Sequence, residues 1–450
     1  MSNKKSSELI VNTQDGGREN VRCVSLLRIV PGKREVYDAI WQNKPVIAKI
    51  FFDRLRAKRH LKRELEGLNN LKKLKINAPE VLLSGTTDEG ERILVTEKIT
   101  GSVSAIDAFL AAAGKEEKLK LLLAVCREIA RENESGVLQK DLHLGNFLIK
   151  ENNIYAIDVA QMRFFNRALT RAQSTGQLAF PASHLADELD AVKDMAEEYF
   201  KTRGWPFEKS DENILLMDIE RVRKRYIKSA LKKSLRTSKN FLKMKSGQYE
   251  GVFDKSFIGE TEPMDFIKRI DSLMDGGQIL KRGNTSYVSR INFNGKDVVV
   301  KRYNHKGLIH SLRHTILRSR ARRCWLNGQL LLMLNVATPK PVAFIEIYKG
   351  VILWQSYLAT EYVEGRHYGD FLKDPNISED KKAQTLNQIN DLLERMGRFK
   401  ITHSDLKPSN IIVSQNGPVL TDLDALKIYK LDFIYKHKHE RNIRRVKNII

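Results

Sequence analysis

The stretch ITHSDLKPSNIIVSQNGPVLTDLDA, Ile401–Ala425, decides how this chain is read. Two short apolar runs, Ile411–Val413 and Val419–Leu420, flank Asn416-Gly417, the strongest short-range signal for a β-hairpin. Asp405 and Asn410 stand just before the first strand, and Asp422 just after the second. Two carboxylates and an amide are thereby delivered to one end of the hairpin. Phosphoryl transfer asks for such a cluster, with one carboxylate for the acceptor hydroxyl and an amide oxygen with a second carboxylate for Mg²⁺.

The arrangement occurs twice. In VLQKDLHLGNFLIKENNIYAIDVA, Val137–Ala160, the residues Asp141, Asn146 and Asp158 each lie 264 positions before Asp405, Asn410 and Asp422. The turn Asn152-Asn153 and the segment TEKITG (Thr96–Gly101) precede Asn416-Gly417 and TEYVEG (Thr360–Gly365) by the same interval. A lone DxxxxN is noise. The same residues repeated in register with a hairpin and a following Asp mark an internal repeat.

Upstream of each hairpin an apolar strand carries a lysine, Lys49 in VIAKIF and Lys301 in DVVVKRY. Apolar strands seldom bury a lysine without a partner, and a strand lysine can serve nucleotide phosphates. In the first half, strands are predicted over Val24–Val30, Glu35–Trp41 and Lys44–Phe51, and residues Met1–Asn20 are expected to be a polar, frayed tail. A helix over Leu55–Leu74 aligns Leu61, Leu65, Leu68, Leu71 and Leu74 on one face. Glu64 on that helix is a candidate ion-pair partner for Lys49. Strands at Glu80–Ser84 and Arg92–Glu97 follow, then helical periodicity over Ile106–Arg131, stopped by Gly136.

The second half repeats this order with two departures. The run after Lys301 is long and basic, with Arg302, His305, Lys306, His310, Arg313, His314, Arg318, Arg320, Arg322 and Arg323. Counting back from Pro339 of ATPKP (Ala337–Pro341), set on Pro79 of INAPE (Ile76–Glu80), Cys324 takes the place of Glu64, so another acid must hold Lys301 or the lysine is held loosely. Gly283-Asn284-Thr285-Ser286 reads as a weak phosphate-covering loop. Between the halves, Ile219–Lys245 reads as a basic helix with an apolar stripe, suited either to packing on a neighbouring domain or to anionic headgroups.

The chain of 450 residues, 42% hydrophobic, is long enough for two real cores. Its net charge of +23 favours an anionic partner. The basic segments lack interleaved aromatics and match no nucleic-acid reader, so nucleic acid is not the expected partner. Cys23, Cys126 and Cys324 show no metal spacing, the N-terminus lacks the apolar stretch of a secretory signal, and no apolar run approaches the ~18 residues of a spanning helix. The expectation is a cytoplasmic protein with reduced thiols.

On these residues both halves resemble the protein-kinase-like superfamily. HSDLKPSN looks like the catalytic loop of protein kinases, and KDLHLGN like that of small-molecule kinases. The stretch from KRYNHKG (from Lys301) through ATPKPVAFIE is similar to the bacterial lipopolysaccharide core kinases, which phosphorylate Kdo or heptose. The resemblance implies an α+β fold of two tandem bilobal domains over 21–228 and 229–450. Each would have a small β-rich lobe and a helical lobe, the latter truncated in the second domain, where only 26 residues follow Asp424. It implies ATP and Mg²⁺ as cofactors, Asp405 as base with Lys407 facing the transferred phosphate, and Asn410 with Asp422 as metal ligands. Lys301, Gly283 and Glu361 would bind nucleotide, and Asp424, with Ala160 at its counterpart, ranks below Asp422. In the first half Asp141, Asn146, Asp158, Lys49, Glu64 and Glu97 would play the same parts, although Gln139 stands where His403 props the second loop. The implied substrate is a hydroxyl of a lipid-linked anionic glycan at the cytoplasmic face of the inner membrane, the protein being peripheral there. A serine/threonine protein kinase and a tandem pseudokinase scaffold, with the first half inactive, are the rivals; little chain remains after Asp424 for a peptide platform.

Overall fold

The computed structural model of the chain describes residues 7–13, 15–52, 56–284, 286–304, 318–429 and 435–440. It divides into two compact units, Met1–Lys224 and Arg225–Ile450.

The first unit opens with β1 (Ser7–Thr13), β2 (Arg18–Val30), β3 (Arg34–Trp41), β4 (Lys44–Phe51), α1 (Ala57–Lys73), β5 (Val81–Thr87) and β6 (Arg92–Glu97). The six strands close a barrel in the order β1-β2-β3-β4-β6-β5. Its turns follow the local chemistry. Gln42 and Asn43 both take positive φ between β3 and β4, which matches the twist of the flanking strands. The expected frayed tail is corrected here, because Ser7–Thr13 pairs with both β2 and β5 and Val11 is fully buried. SELIVNT is polar overall, but its alternation places Val11 inside, and a sheet edge that would otherwise stay open is paired.

Lys49 lies on β4, opposite Val36 of β3 and Leu94 of β6. On α1, Leu61, Leu68, Leu71 and Glu64 are buried, while Leu74 is exposed. The chain continues through β7 (Val103–Ser104), α2 (Ala105–Ala111), α3 (Lys115–Glu134), β8 (Val137–Gln139), β9 (Phe147–Lys150), β10 (Asn153–Ala156), β11 (Met162–Phe164), α4 (Arg171–Ala182), α5 (Leu189–Thr202) and α6 (Lys209–Lys233). Leu122, Cys126, Ile129, Phe147, Met195 and Tyr199 form the core of this helical part.

The second unit adds β12 (Phe241–Ser246), β13 (Tyr249–Asp254), α7 (Lys255–Ile258) and α8 (Pro263–Gly276) ahead of β14 (Gln278–Arg282), β15 (Ser286–Phe293) and β16 (Lys296–Tyr303). After α9 (Arg320–Met333) come β17 (Pro341–Lys349) and β18 (Ile352–Glu361). The sheet runs β12-β13-β17-β18-β16-β15-β14. Lys301 sits on β16, opposite Val288 and Leu358, as Lys49 sits between Val36 and Leu94. The rest is β19 (Arg366–His367), α10 (Tyr368–Lys373), α11 (Glu379–Arg398), β20 (Ile401–His403), the hairpin β21 (Ile411–Ser414) and β22 (Gly417–Leu420), and β23 (Leu426–Ile428).

The basic helix ends at Lys233, not Lys245, and Phe241–Ser246 is a strand. The Ser238 hydroxyl accepts from the Phe241 amide and the Thr237 hydroxyl from the Lys243 amide, so side chains turn the backbone out of the helix. The helix's apolar stripe is used for packing. Leu215 and Ile219 belong to the first unit's core, and Ile227, Leu231 and Leu235 pack on the second unit's.

Barrel closure yields a test. A Cβ on Gly85 would lie 2.2 Å from the Asn12 carbonyl oxygen, backbone against backbone, whereas one on Gly176 meets nothing within 4 Å. Gly85→Ala should cost about 2–3 kcal/mol in thermal or denaturant unfolding and Gly176→Ala should cost nothing. Equal behaviour of the two variants would contradict a barrel closed through β1.

Candidate functional site

In each unit the acidic loop is tied to its hairpin by the same backbone-centred bonds. Asn146 Nδ2 donates to the Asp141 carbonyl at 2.7 Å, and Asn410 Nδ2 to the Asp405 carbonyl at 2.8 Å. The amides of Ile157 and Thr421 donate to the carbonyls of Asn146 and Asn410, both at 2.8 Å. The asparagines are buried, and Asp141 and Asp405 stand exposed on an anchored loop. Immediately beyond, Asp158 (φ 60°, ψ 47°) and Asp422 (φ 55°, ψ 59°) both take the left-handed conformation. For a residue with a side chain this costs of order 1 kcal/mol and persists only where the surroundings fix it.

The first unit brings Lys49 and Glu64 together in an ion pair, with Glu64 almost fully buried. Asp158 is engaged elsewhere. Arg34 grips it with a two-pronged contact, Nη1 to Oδ1 at 3.2 Å and Nη2 to Oδ2 at 3.1 Å, and Arg28 approaches to 3.5 Å. Burial acts to raise the Asp158 pKa, but Lys49 and Arg34 outweigh it and hold the carboxyl below its usual range. Lys49, Glu64, Asp158, Arg28, Arg34 and Glu97 line a cavity of about 380 Å³; Asp141 and Asn146 are not among its walls.

In the second unit Lys301 Nζ reaches Asp422 at 2.7 Å and Asp424 at 3.1 Å. Arg320 meets Asp424 at 2.9 Å, and the Cys324 thiol donates to Asp424 at 3.0 Å. Cys324 stands at the place of Glu64, since the two helices end alike. The Ile76 and Val336 amides donate to Leu71 and Leu331, just after left-handed Lys75 and Asn335. The missing glutamate is therefore replaced by Asp424, which enters from the hairpin exit where the first unit has Ala160. Burial alone would lift the Asp424 pKa, but Lys301 and Arg320 hold it below the usual range. Burial also works to lower the Lys301 pKa, and Asp424 and Asp422 more than reverse it.

His403 is fully buried, and its Nε2 donates to the carbonyls of Thr421 at 3.2 Å and Asp422 at 3.1 Å, steadying the left-handed aspartate. Burial lowers its pKa and favours the neutral ring. Gln139, its counterpart, instead donates to both oxygens of Glu132, whose carboxyl burial lifts to about 8. Lys407 pairs with Asp405 at 3.0 Å, and that bond holds the Asp405 carboxyl below its usual range. Lys301, Lys407, Asn410, Asp422, Ser286 and Glu361 line a cavity of about 540 Å³. Gly283 is not among its walls; Lys281 and Ser286 of the same hairpin are.

Of the basic run, Arg302, Arg320 and Arg322 are spent on Asp271, Asp424 and Glu346. His305, Lys306, His310, Arg313 and His314 lie outside the described residues, as does Thr285 of the weak loop. Among the described residues no three His, Cys, Asp or Glu side chains cluster as a ready-made metal site. A Mg²⁺ that keeps water and phosphate ligands needs less, and in the second unit the Asn410 amide and Asp422 carboxylate that line the cavity are the oxygens such an ion takes, whereas in the first unit the buried Asn146 Oδ1 lacks a hydrogen-bond partner but is not among the cavity's walls. The role of Asp424 carries only a weak sequence signal. Its signal was a paired exchange, Glu64 with Ala160 against Cys324 with Asp424. Arg34 and Arg28 carried no motif.

Residues 275–449 match the model of the Lipopolysaccharide kinase (Kdo/WaaP) family. The matched segment is less than half of the chain and includes Lys301, Asp405, Asn410, Asp422 and Asp424. The chain is 31% identical over 102 residues to KEOPS complex subunit Bud32 of Pyrococcus abyssi, covering 23% of this chain and 44% of that relative. It thus spans less than half of the relative's length. A solved structure of the PknI kinase domain of Mycobacterium tuberculosis matches 41% of this chain and 77% of that one, at 17% identity and a TM-score of 0.30, too low to bear weight.

Replacing Asp424 by Ala should cost about 2–4 kcal/mol at pH 7, because Lys301 and Arg320 lose a nearly buried partner. Since the folded pKa of Asp424 is depressed, its contribution is complete above the ordinary carboxylate range and vanishes as pH falls through the lower folded value. The melting gap between wild type and D424A should be constant from about pH 5 to 8 and close below about pH 4. C324E/D424A, which copies the first unit's pairing, should recover most of the loss. No recovery would contradict the exchange.

Proposed function

We propose that the second unit is an ATP- and Mg²⁺-dependent phosphotransferase acting on a sugar hydroxyl of the lipopolysaccharide core, heptose or Kdo, at the cytoplasmic face of the inner membrane. The observation that carries this reading is the Lys301–Asp422 contact inside a cavity of about 540 Å³, in a unit that matches a kinase family. On this reading each unit is a kinase-like bilobal domain with its cleft beneath the strand lysine.

Lys301 would hold the nucleotide's phosphates, with Asp424 keeping its ammonium in place. Asp405, ionised at neutral pH beside Lys407, would accept or orient the acceptor hydroxyl, and Lys407 would face the transferred group. Mg²⁺, when bound, neutralises charge on the phosphates; Asn410 and Asp422 would hold it. The lipopolysaccharide substrate is supported by the family match and by a net charge of +23, which favours an anionic surface. Among the described residues no helix is long and apolar enough to cross a membrane, and peripheral attachment fits that.

Mass spectrometry of core oligosaccharide from cells carrying Asp405→Ala tests the reading. One phosphate should be lost, with turnover in vitro reduced at least about 100-fold and the fold intact. Asp141→Ala should leave that phosphate in place. An unchanged core with altered phosphoproteins would contradict the proposal in favour of a protein substrate.

A further inference from the structure

The repeated frame lets the two clefts be compared position by position. Val36 faces Lys49 across β3 and β4 as Val288 faces Lys301 across β15 and β16. In the same registers Arg34 faces Phe51 and Ser286 faces Tyr303. Arg34 therefore occupies the position of Ser286. Similarly Arg28 faces Val36 as Lys281 faces Val288.

This single exchange alters what the first cleft can hold. Arg34 saturates both oxygens of Asp158, the carboxylate that corresponds to Asp422. A divalent ion would have to take an Asp158 oxygen that already accepts from the guanidinium, so metal entry would have to loosen a two-pronged contact that is only a fifth exposed on the arginine side. Lys49 is held by Glu64 and stays beside Asp158 without needing it as a partner. The cleft thus has four cations, Arg28, Arg34, Lys49 and Lys98, against three carboxylates, Glu64, Glu97 and Asp158, before any ligand arrives.

We infer that the first unit is a nucleoside-triphosphate site that works without divalent metal, with the Arg34 guanidinium, assisted by Arg28, standing where Mg²⁺ would otherwise sit between Asp158 and the phosphates. The planar fork of arginine suits this bridging, since it pairs with phosphate oxygens as it does with carboxylate oxygens. The inference rests on reading the cavities as nucleotide sites. It separates the units by task, a metal-free binding site in the first and metal-assisted transfer in the second.

Photolabelling of the full chain with radiolabelled 8-azido-ATP, followed by peptide mapping, reads each unit separately. In EDTA the first unit should be labelled with a half-saturating concentration within about two-fold of that in Mg²⁺, while second-unit labelling should need the metal. Arg34→Ser should raise the first unit's value in EDTA about ten-fold or more, and Mg²⁺ should restore part of it; Arg34→Lys, which keeps charge but not the fork, should fall between. Circular dichroism of both variants checks folding. First-unit labelling that requires Mg²⁺, or that ignores Arg34→Ser, overturns the metal-free inference and leaves the nucleotide reading standing. Absence of label from the first unit under both conditions overturns the nucleotide reading of that unit and the inference with it.

Discussion

A lysine ammonium on a central strand, walled by apolar side chains, must be given a carboxylate. Desolvating an unpaired charge costs several kcal/mol, so the partner is part of the fold and not an accessory. The two units meet this constraint from opposite sides. In the first, Glu64 reaches inward from α1. In the second, the helix offers only a thiol at that place, and Asp424 comes up from the hairpin exit to meet Lys301, Arg320 and Cys324 together. The second solution ties the strand lysine directly to the segment that carries Asp422, so the lysine and the hairpin are one connected electrostatic unit.

Much of this was legible in the sequence because it was written twice. The hairpins, the strand lysines and the helix bearing Glu64 all follow from apolar periodicity and turn residues, and the shared interval gave each short motif a control. The rest has weak local signals. SELIVNT looks polar, and only pairing on both sides makes it a strand. Phe241–Ser246 sits in a basic stretch whose periodicity changes from helix to strand after a Thr-Ser turn. Arg34 and Arg320 acquire their meaning only through contacts more than a hundred residues away. The exchange of Glu64 and Ala160 for Cys324 and Asp424 was visible, but needed the two departures to be read as one event.

The charge also reads differently in three dimensions. A net +23 invites the picture of a continuous anion-binding surface, yet several of the arginines behind that number are internal partners. Arg320 steadies Asp424, Arg302 meets Asp271, and in the first unit Arg203, buried, serves Glu134 and Ser174. Whatever attraction the protein has for an anionic surface must come from lysines and arginines other than these.

On the proposed function, each strand lysine marks the floor of a nucleotide cleft, and the second cleft is set for transfer. A crystal structure of the full chain with a non-hydrolysable ATP analogue and Mg²⁺ tests this most directly. Triphosphate density is expected on Lys301, with the metal between the phosphates and Asn410 and Asp422 and the terminal phosphate facing Asp405. Nucleotide bound away from Lys301, or a metal that ignores Asp422, would contradict it.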